Sequence, residues 1–289
     1  MRDFVITTEN TADFPVDYII KNDLGIVNLS YLIDGENFSD GRELEPEEFY
    51  MRVRAGSMPT TSQVNPDQAK EFFSKYLAKG VDILHLAFSS GLSGTYNSMR
   101  LAAEELMEEH KDCRIIVIDT LCASLGEGLI VDYALRMKAE GCSIEEIAAW
   151  SEVHKKNFIH VFTVDDLNHL YRGGRVSKAT AVIGTMVNIK PILHVDNEGH
   201  LMALDKVRGR KKSLQMLVQY MDQKMGSYKE KNAVVFISHG DCLEDAEYVK
   251  KLIEEKYGEK EFLIHFIGPT IGTHAGPGTV ALFFMGDER

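Results

Sequence analysis

Cysteine is scarce in this chain. Its four copies, Cys113, Cys122, Cys142 and Cys242, form no C-x-x-C pair and show no metal-site spacing. That argues against a cysteine-held metal and fits a reduced, cytoplasmic setting. Positive charge is also short. The 32 Lys and Arg stand against 44 Asp and Glu, for a formal net charge of -12. A nucleic-acid binder needs a basic excess to meet phosphates, so that class is disfavoured. No apolar run reaches the length of a membrane span. The opening residues MRDFVITTENTADFP carry no signal-peptide core. His154, His160, His169, His194 and His200 build no H-E-x-x-H or two-His-plus-acid pattern, so no metal site is expected.

What is present is an ordinary globular composition. The chain has 289 residues, 44% of them hydrophobic and 26% charged, enough for a large core in two domains or one. Up to Asp119 it alternates strand-like and helix-like segments. Phe4 to Thr8, Gly25 to Ile33, Asp82 to Phe88 and Arg114 to Asp119 read as strands. Asp17 to Asp23, Glu45 to Ala55, Pro66 to about Lys79 and Thr95 to His110 read as helices. Asn65-Pro66 supplies an N-cap and a first-turn proline. Such alternation implies a parallel sheet flanked by helices. Gly126 and Gly128 read as punctuation before helices that run to roughly Lys156.

The second half differs. Ile159 to Val164 reads as a strand, Asp165 to Gly174 as one short helix stopped by glycine, and Lys178 to Thr185 as another. "IKPILHVD" and "HLMALDKVR" are two strands joined by "NEG", a hairpin signature. Gly209 to Met225 reads as a helix, and "AVVFISH", "FLIHFIG" and "TVALFFM" as three more strands. The expectation is an α/β protein of two domains: residues 1–157 around a parallel sheet, and 158–289 around a mixed sheet with helices. Asp241 reads as a helix N-cap.

Three loops share a hydroxyl-rich and glycine-rich character: "PTTSQVNP" (Pro59 to Pro66), "SSGLSGTYNS" (Ser89 to Ser98) and "GPTIGTHAGPGT" (Gly268 to Thr279). Glycine lets backbone N–H groups approach a ligand, and Ser and Thr add donors. Ser93 lies where a strand hands over to a helix, at the carboxyl edge of the expected parallel sheet. Ligands bind at that edge, and a helix N-terminus favours an anion. Ser93 is then an anion grip, a helix cap, or a nucleophile with His274 as its base. The string Gly91-Leu92-Ser93-Gly94-Thr95 misses the G-x-S-x-G elbow, and no acid stands in a third position.

Together "PTTSQVNP", "SSGLSGTYNS", "RGGRVSKATAVIGTMVNIKPIL" and "GPTIGTHAGPGT" resemble the DegV family, which includes the fatty-acid-binding subunits of bacterial fatty acid kinase. The resemblance spans nearly the whole chain in the family's motif order. Val64 departs from it, standing where the family usually has proline. The resemblance implies a non-catalytic protein that holds one long-chain fatty acid between two domains and has no cofactor. Its carboxylate would be hydrogen-bonded by Thr61 and Ser93, with His274 in the adjoining network. Ser62, Gly94, Thr95, Gly272 and Thr273 complete the implied site. A separate kinase subunit would convert the carboxylate to an acyl phosphate.

Burial of the tail would carry the affinity. About 14 methylenes of a C16 chain, at ~0.8 kcal/mol each, contribute on the order of 11 kcal/mol before ordering costs. Helices such as Leu125 to Leu135 and Ala181 to Ile189 could line the tunnel, although both are also ordinary core. Arg172 and Arg175 read as a dock for the kinase subunit or its phosphates, or else as a solvated helix end. The basic run Lys206 to Lys212 reads as a solvated turn, or as a transient contact with an acidic partner or anionic lipid. Two rivals stay open: a serine esterase or thioesterase using Ser93 and His274, and a binder of another apolar acid.

Overall fold

A computed structural model describes residues 3–39, 42–178, 180 and 188–289. Most of the expected helix Lys178 to Thr185, and most of Ala181 to Ile189, lie outside the described residues. In chain order the strands are β1 Phe4–Glu9, β2 Gly25–Val27, β3 Ser30–Ile33, β4 Glu36–Phe38, β5 Thr60–Ser62, β6 Asp82–Ala87 and β7 Ile115–Asp119. They continue with β8 Phe158–Thr163, β9 Ile189–Val195, β10 Leu201–Arg208, β11 Val234–His239, β12 Glu261–Phe266 and β13 Val280–Met285.

Four of the early strands form a parallel sheet in the order β2-β1-β6-β7. Every residue of β1 and β6 is buried, as a parallel sheet covered on both faces requires. The second half forms a six-stranded mixed sheet in the order β10-β9-β8-β13-β11-β12. Only the β11–β12 pairing in it is parallel. The expected hairpin is β9–β10, antiparallel, with its register shifted between Ala203 and Asp205. The chain is thus an α/β fold with a parallel and a mixed sheet.

A small antiparallel sheet, β4-β3-β5, was not expected. It arises because Gly25 to Ile33 is two strands and not one. Asn10 holds Leu29 through both backbone groups, donating to its carbonyl at 3.1 Å and accepting from its N–H at 3.0 Å. That clamp breaks the run. β2 stays with the parallel sheet, while β3 leaves to pair with β5, the strand that carries Thr61.

Three other local expectations change. Gly126 and Gly128 lie inside the helix Leu125–Ala139. They are there for close packing, since a Cβ at Gly126 would overlap the His160 ring and one at Gly128 would press on the Ala12 carbonyl. "GPTIGTHAGPGT" contains a helix, Pro269–Ala275, started by its proline and ended at Gly276 with φ +77°. Asp241 does not cap a helix. Its φ is +55°, its carboxylate accepts from Arg54, and Cys242 takes the cap position before Leu243–Tyr257. The Asn65 cap is as expected: Asn65 and Gln68 form a reciprocal capping box.

Helix Leu125–Ala139 lies between the two large sheets, touching β1 and β6 on one side and β8, β11 and β13 on the other. That explains why it is buried almost all round, Glu127 and Asp132 included. It serves as shared core and not as the expected tunnel wall. One apolar cluster runs through it, from Phe4, Ile6 and Leu84 to Phe158, Phe162 and Phe283.

Candidate functional site

A cavity of about 460 Å³ opens between the elements of the two halves. Its apolar wall includes Phe88 and Leu92 from the first half and Phe162, Leu170, Leu201 and Phe283 from the second. Thr61, Ser93, Gly94 and His274 line it as well. The sequence reading placed these four at one site, and the fold brings them to one cavity from three separate segments. β5 presents Thr61, the β6-to-helix turn presents Ser93 and Gly94, and Pro269–Ala275 presents His274.

Thr61 Oγ1 and His274 Nε2 are 2.8 Å apart. Burial, helped by the positive charge of Arg175, pulls the His274 pKa down to about 4, so the ring is neutral near pH 7. Its Nδ1 is buried without a hydrogen-bond partner, against a backbone where a Cβ on Gly173 would overlap it. A proton on Nδ1 would be a buried donor with no acceptor, so the neutral ring carries its proton on Nε2. Nε2–H donates to Thr61, and the Thr61 hydroxyl is left free to donate onward into the cavity.

Ser93 Oγ lies 3.0 Å from Thr95 Oγ1 and accepts the Thr95 N–H at 3.2 Å. A serine hydrolase would need His274 to bond Ser93, whereas here Nε2 is committed to Thr61. The remaining implied residues sit elsewhere. Thr95 is fully buried beneath the turn and accepts the Val64 N–H. Ser62 is exposed and pairs with Ser30 in the small sheet. Gly272 makes room for Tyr50 and Phe49, not for a ligand. Thr273 donates to the Pro269 carbonyl within its own helix.

Of the two residues assigned to partner docking, Arg172 is exposed but Arg175 is half-buried. Arg175 turns inward, donating to the Leu92 carbonyl through two nitrogens at 3.1 and 3.3 Å and to the Gly173 carbonyl. It anchors the Ser89–Ser93 turn, so its guanidinium is not offered to a partner. In the basic run, Arg210 pairs with Asp165 and Asp245, and Lys211 lies over the Tyr248 ring.

Sequence reasoning missed Gln63, Ser124, His160 and Arg175 as cavity residues. Gln63 was within reach, since it sits inside a quoted motif. Its side chain fills the space that a Cβ on Gly94 would need, which is why the turn requires glycine. His160 is buried, its pKa pushed down to about 3 by burial, and accepts the Ala123 N–H at 3.1 Å. Ser124, with φ +54°, sits between Ser238 and the buried carboxylate of Asp13. Asp13 also accepts the Gly268 N–H at 2.9 Å. Burial pushes its pKa up to about 7 despite these hydrogen bonds. No cluster among the described residues could hold a metal ion, and no helix among them is long and apolar enough to cross a membrane.

Residues 3–287 match the family model described as "Uncharacterised protein, DegV family". A DegV domain-containing protein of Clostridium perfringens is 46% identical over 291 residues, covering 100% of this chain and 99% of the relative. Two solved structures share the fold. A Thermus thermophilus DegV family protein, described as binding fatty acid, is 30% identical with a TM-score of 0.87 over 99% of this chain and 100% of its own. A Thermotoga maritima DegV lipid-binding protein is 32% identical with a TM-score of 0.85, over 99% of each chain.

Proposed function

Since this chain belongs to the DegV family, we propose that it holds one long-chain fatty acid and presents the carboxylate to a separate kinase subunit. The observation that carries this reading is the Thr61–His274 hydrogen bond at the wall of a largely apolar cavity. A neutral imidazole that donates to Thr61 turns that hydroxyl into a donor for an anion. Ser93 and the neighbouring N–H groups would meet the second carboxylate oxygen. Neutral donors fix the head group without the tight salt bridge that would blunt its nucleophilicity. In the kinase step a carboxylate oxygen would attack the donor's phosphorus, forming the C–O–P link as the donor's own bond to that phosphorus breaks.

The test is extraction. The purified protein is incubated with mixed fatty acids, freed of excess, denatured, extracted with organic solvent and analysed by mass spectrometry. One equivalent of a long-chain acid per chain is expected. A protein that retains none, or that hydrolyses nitrophenyl esters in a Ser93-dependent way, would overturn the reading.

A further inference from the structure

Polar side chains other than Thr61, Ser93 and His274 line the cavity. Two of them are already spent. His160 uses Nδ1 on the Phe158 carbonyl and Nε2 on the Ala123 N–H, both at 3.1 Å. Thr279 donates to the carbonyls of Ala275 and Gly276. Ser124 is different. We propose that Ser124 is a second polar subsite of the cavity, which receives a hydroxyl carried on the acyl chain, so that the preferred cargo is a hydroxylated long-chain fatty acid. The proposal rests on the fatty-acid reading above and narrows its cargo.

The first argument is placement. Ser124 holds the N-cap position of helix Leu125–Ala139, where a serine hydroxyl ordinarily accepts a backbone N–H of the first turn. Its side chain makes no such bond. Its φ of +54° disfavours any residue with a Cβ, so glycine would sit there more easily. The hydroxyl is therefore kept for a use other than capping. It meets Asp13 and Ser238 behind the wall, and the residue lines the cavity.

The second argument is a count of protons. Ser124 Oγ lies 2.5 Å from Asp13 Oδ2 and 2.9 Å from Ser238 Oγ. Asp13 Oδ1 accepts the Gly268 N–H, so the proton of a neutral Asp13 sits on Oδ2. Asp13 takes both protonation states near neutral pH, since burial pushes its pKa up to about 7. Ser238 is fully buried, and its hydroxyl has no partner but Ser124 among the described residues. With Asp13 neutral, three hydroxyl protons meet two links. Asp13 and Ser238 then both donate to Ser124, filling its two lone pairs. The Ser124 proton is left over for the cavity. With Asp13 ionised, Ser238 donates to Ser124 and Ser124 to Asp13, which leaves one Ser124 lone pair open. An alcohol serves both states, accepting in the first and donating in the second. A ketone serves only the first, and a methylene serves neither.

The third argument is charge. Arg175 is the only arginine or lysine among the described residues that line the cavity. Its guanidinium is committed to the Leu92 and Gly173 carbonyls. A second carboxylate at Ser124 would face the buried Asp13 with no cation to offset it. The oxygen that belongs there is neutral.

The test compares octadecanoate with a set of monohydroxy octadecanoates whose hydroxyl is walked along the chain. Displacement of a fluorescent fatty acid gives each hydroxy acid's affinity relative to octadecanoate on the same protein. On the unsubstituted chain, one stretch of hydroxyl positions should bind about tenfold tighter than octadecanoate. Positions outside it should bind more weakly, because a buried hydroxyl without a partner is costly. Ser124→Gly removes the hydroxyl and suits a φ of +54°, so it should erase the preference. Ser238→Ala breaks the same serine–serine bond but leaves the cavity hydroxyl, and should retain it. Three results would overturn the subsite alone: no hydroxy acid binds tighter than octadecanoate, the preference survives Ser124→Gly, or Ser238→Ala erases it equally. Failure of octadecanoate and the hydroxy acids alike to bind would overturn the fatty-acid reading and the subsite with it.

Discussion

Thr61 and His274 stand 213 positions apart in the chain and 2.8 Å apart in the fold. One is on an edge strand of the small sheet and the other on a two-turn helix, so the bond exists only once both halves have assembled. The hydroxyl and the imidazole act as a unit, because the tautomer of the ring decides which way the threonine points its proton.

Thr61→Val should therefore keep the fold and lose the head-group donor. A hydrogen bond to a charged group contributes about 1.5–3 kcal/mol, so fatty-acid affinity should fall roughly ten- to a hundredfold. Thr61→Ser should restore most of it. Fluorescent fatty-acid displacement reads both, and normal affinity in Thr61→Val would remove this residue from the head-group site.

Asp13 ties the start of helix Pro269–Ala275 to Ser124 from a buried position. Its folded pKa, about 7, lies above the ordinary 3.8. Between those values the folded state holds a proton that the unfolded chain has released. This group's contribution to stability therefore declines as pH rises from about 4 to about 7 and is flat above. Asp13→Asn should flatten that part of the profile, so the variant gains on the parent as pH rises. Urea unfolding at several pH values checks it, and parallel profiles would count against it.

Glu127 is fully buried beside Glu9, and both burial and that neighbour push its pKa well above the carboxylate range. Thr8 and Thr11 surround its carboxyl. A protonated glutamic acid is close to glutamine in shape and charge. Glu127→Gln should change stability at pH 7 by less than about 1.5 kcal/mol, the range of volume-conserving swaps. Glu127→Ala should cost on the order of 2–5 kcal/mol through the cavity it leaves. Equal losses in the two variants, seen as denaturation midpoints, would show that the carboxyl is ionised.

Gly126→Ala puts a methyl into the His160 ring. Overpacking of this kind costs about 1–3 kcal/mol. It should also loosen the Ala123 N–H from His160, visible as faster amide exchange at Ala123. A fully stable variant with protected Ala123 would mean that the helix can shift to accommodate the methyl.

The strand–helix alternation and the β9–β10 hairpin were legible because their signals are local: apolar runs for the buried strands, and Asn-Glu-Gly for the turn. The break between β2 and β3 was not, because it depends on Asn10, fifteen or more positions upstream, reaching over to Leu29. Helix Pro269–Ala275 was hidden by its own glycine, kept small so that Tyr50 can pack against Gly272. The site divides the same way. Ser93 was visible from its place at the end of a strand. No spacing rule links Thr61 to His274, and family likeness alone pointed to that pair. Arg175 was misread as surface because a Gly-Gly-Arg turn looks the same whether its guanidinium faces water or the Leu92 carbonyl.

The helix between the two large sheets makes the halves mechanically inseparable. Leu125–Ala139 belongs by sequence to the first half, yet it buries one face against β8, β11 and β13. A hinge that parted the sheets would strip that face bare, so the two sheets do not part like a clamshell. On the proposed function, a long acyl chain would have to thread in through local yielding of the cavity rim. Exchange should then be slow relative to the strength of binding, and a cargo once seated would be handed over instead of being lost to bulk water.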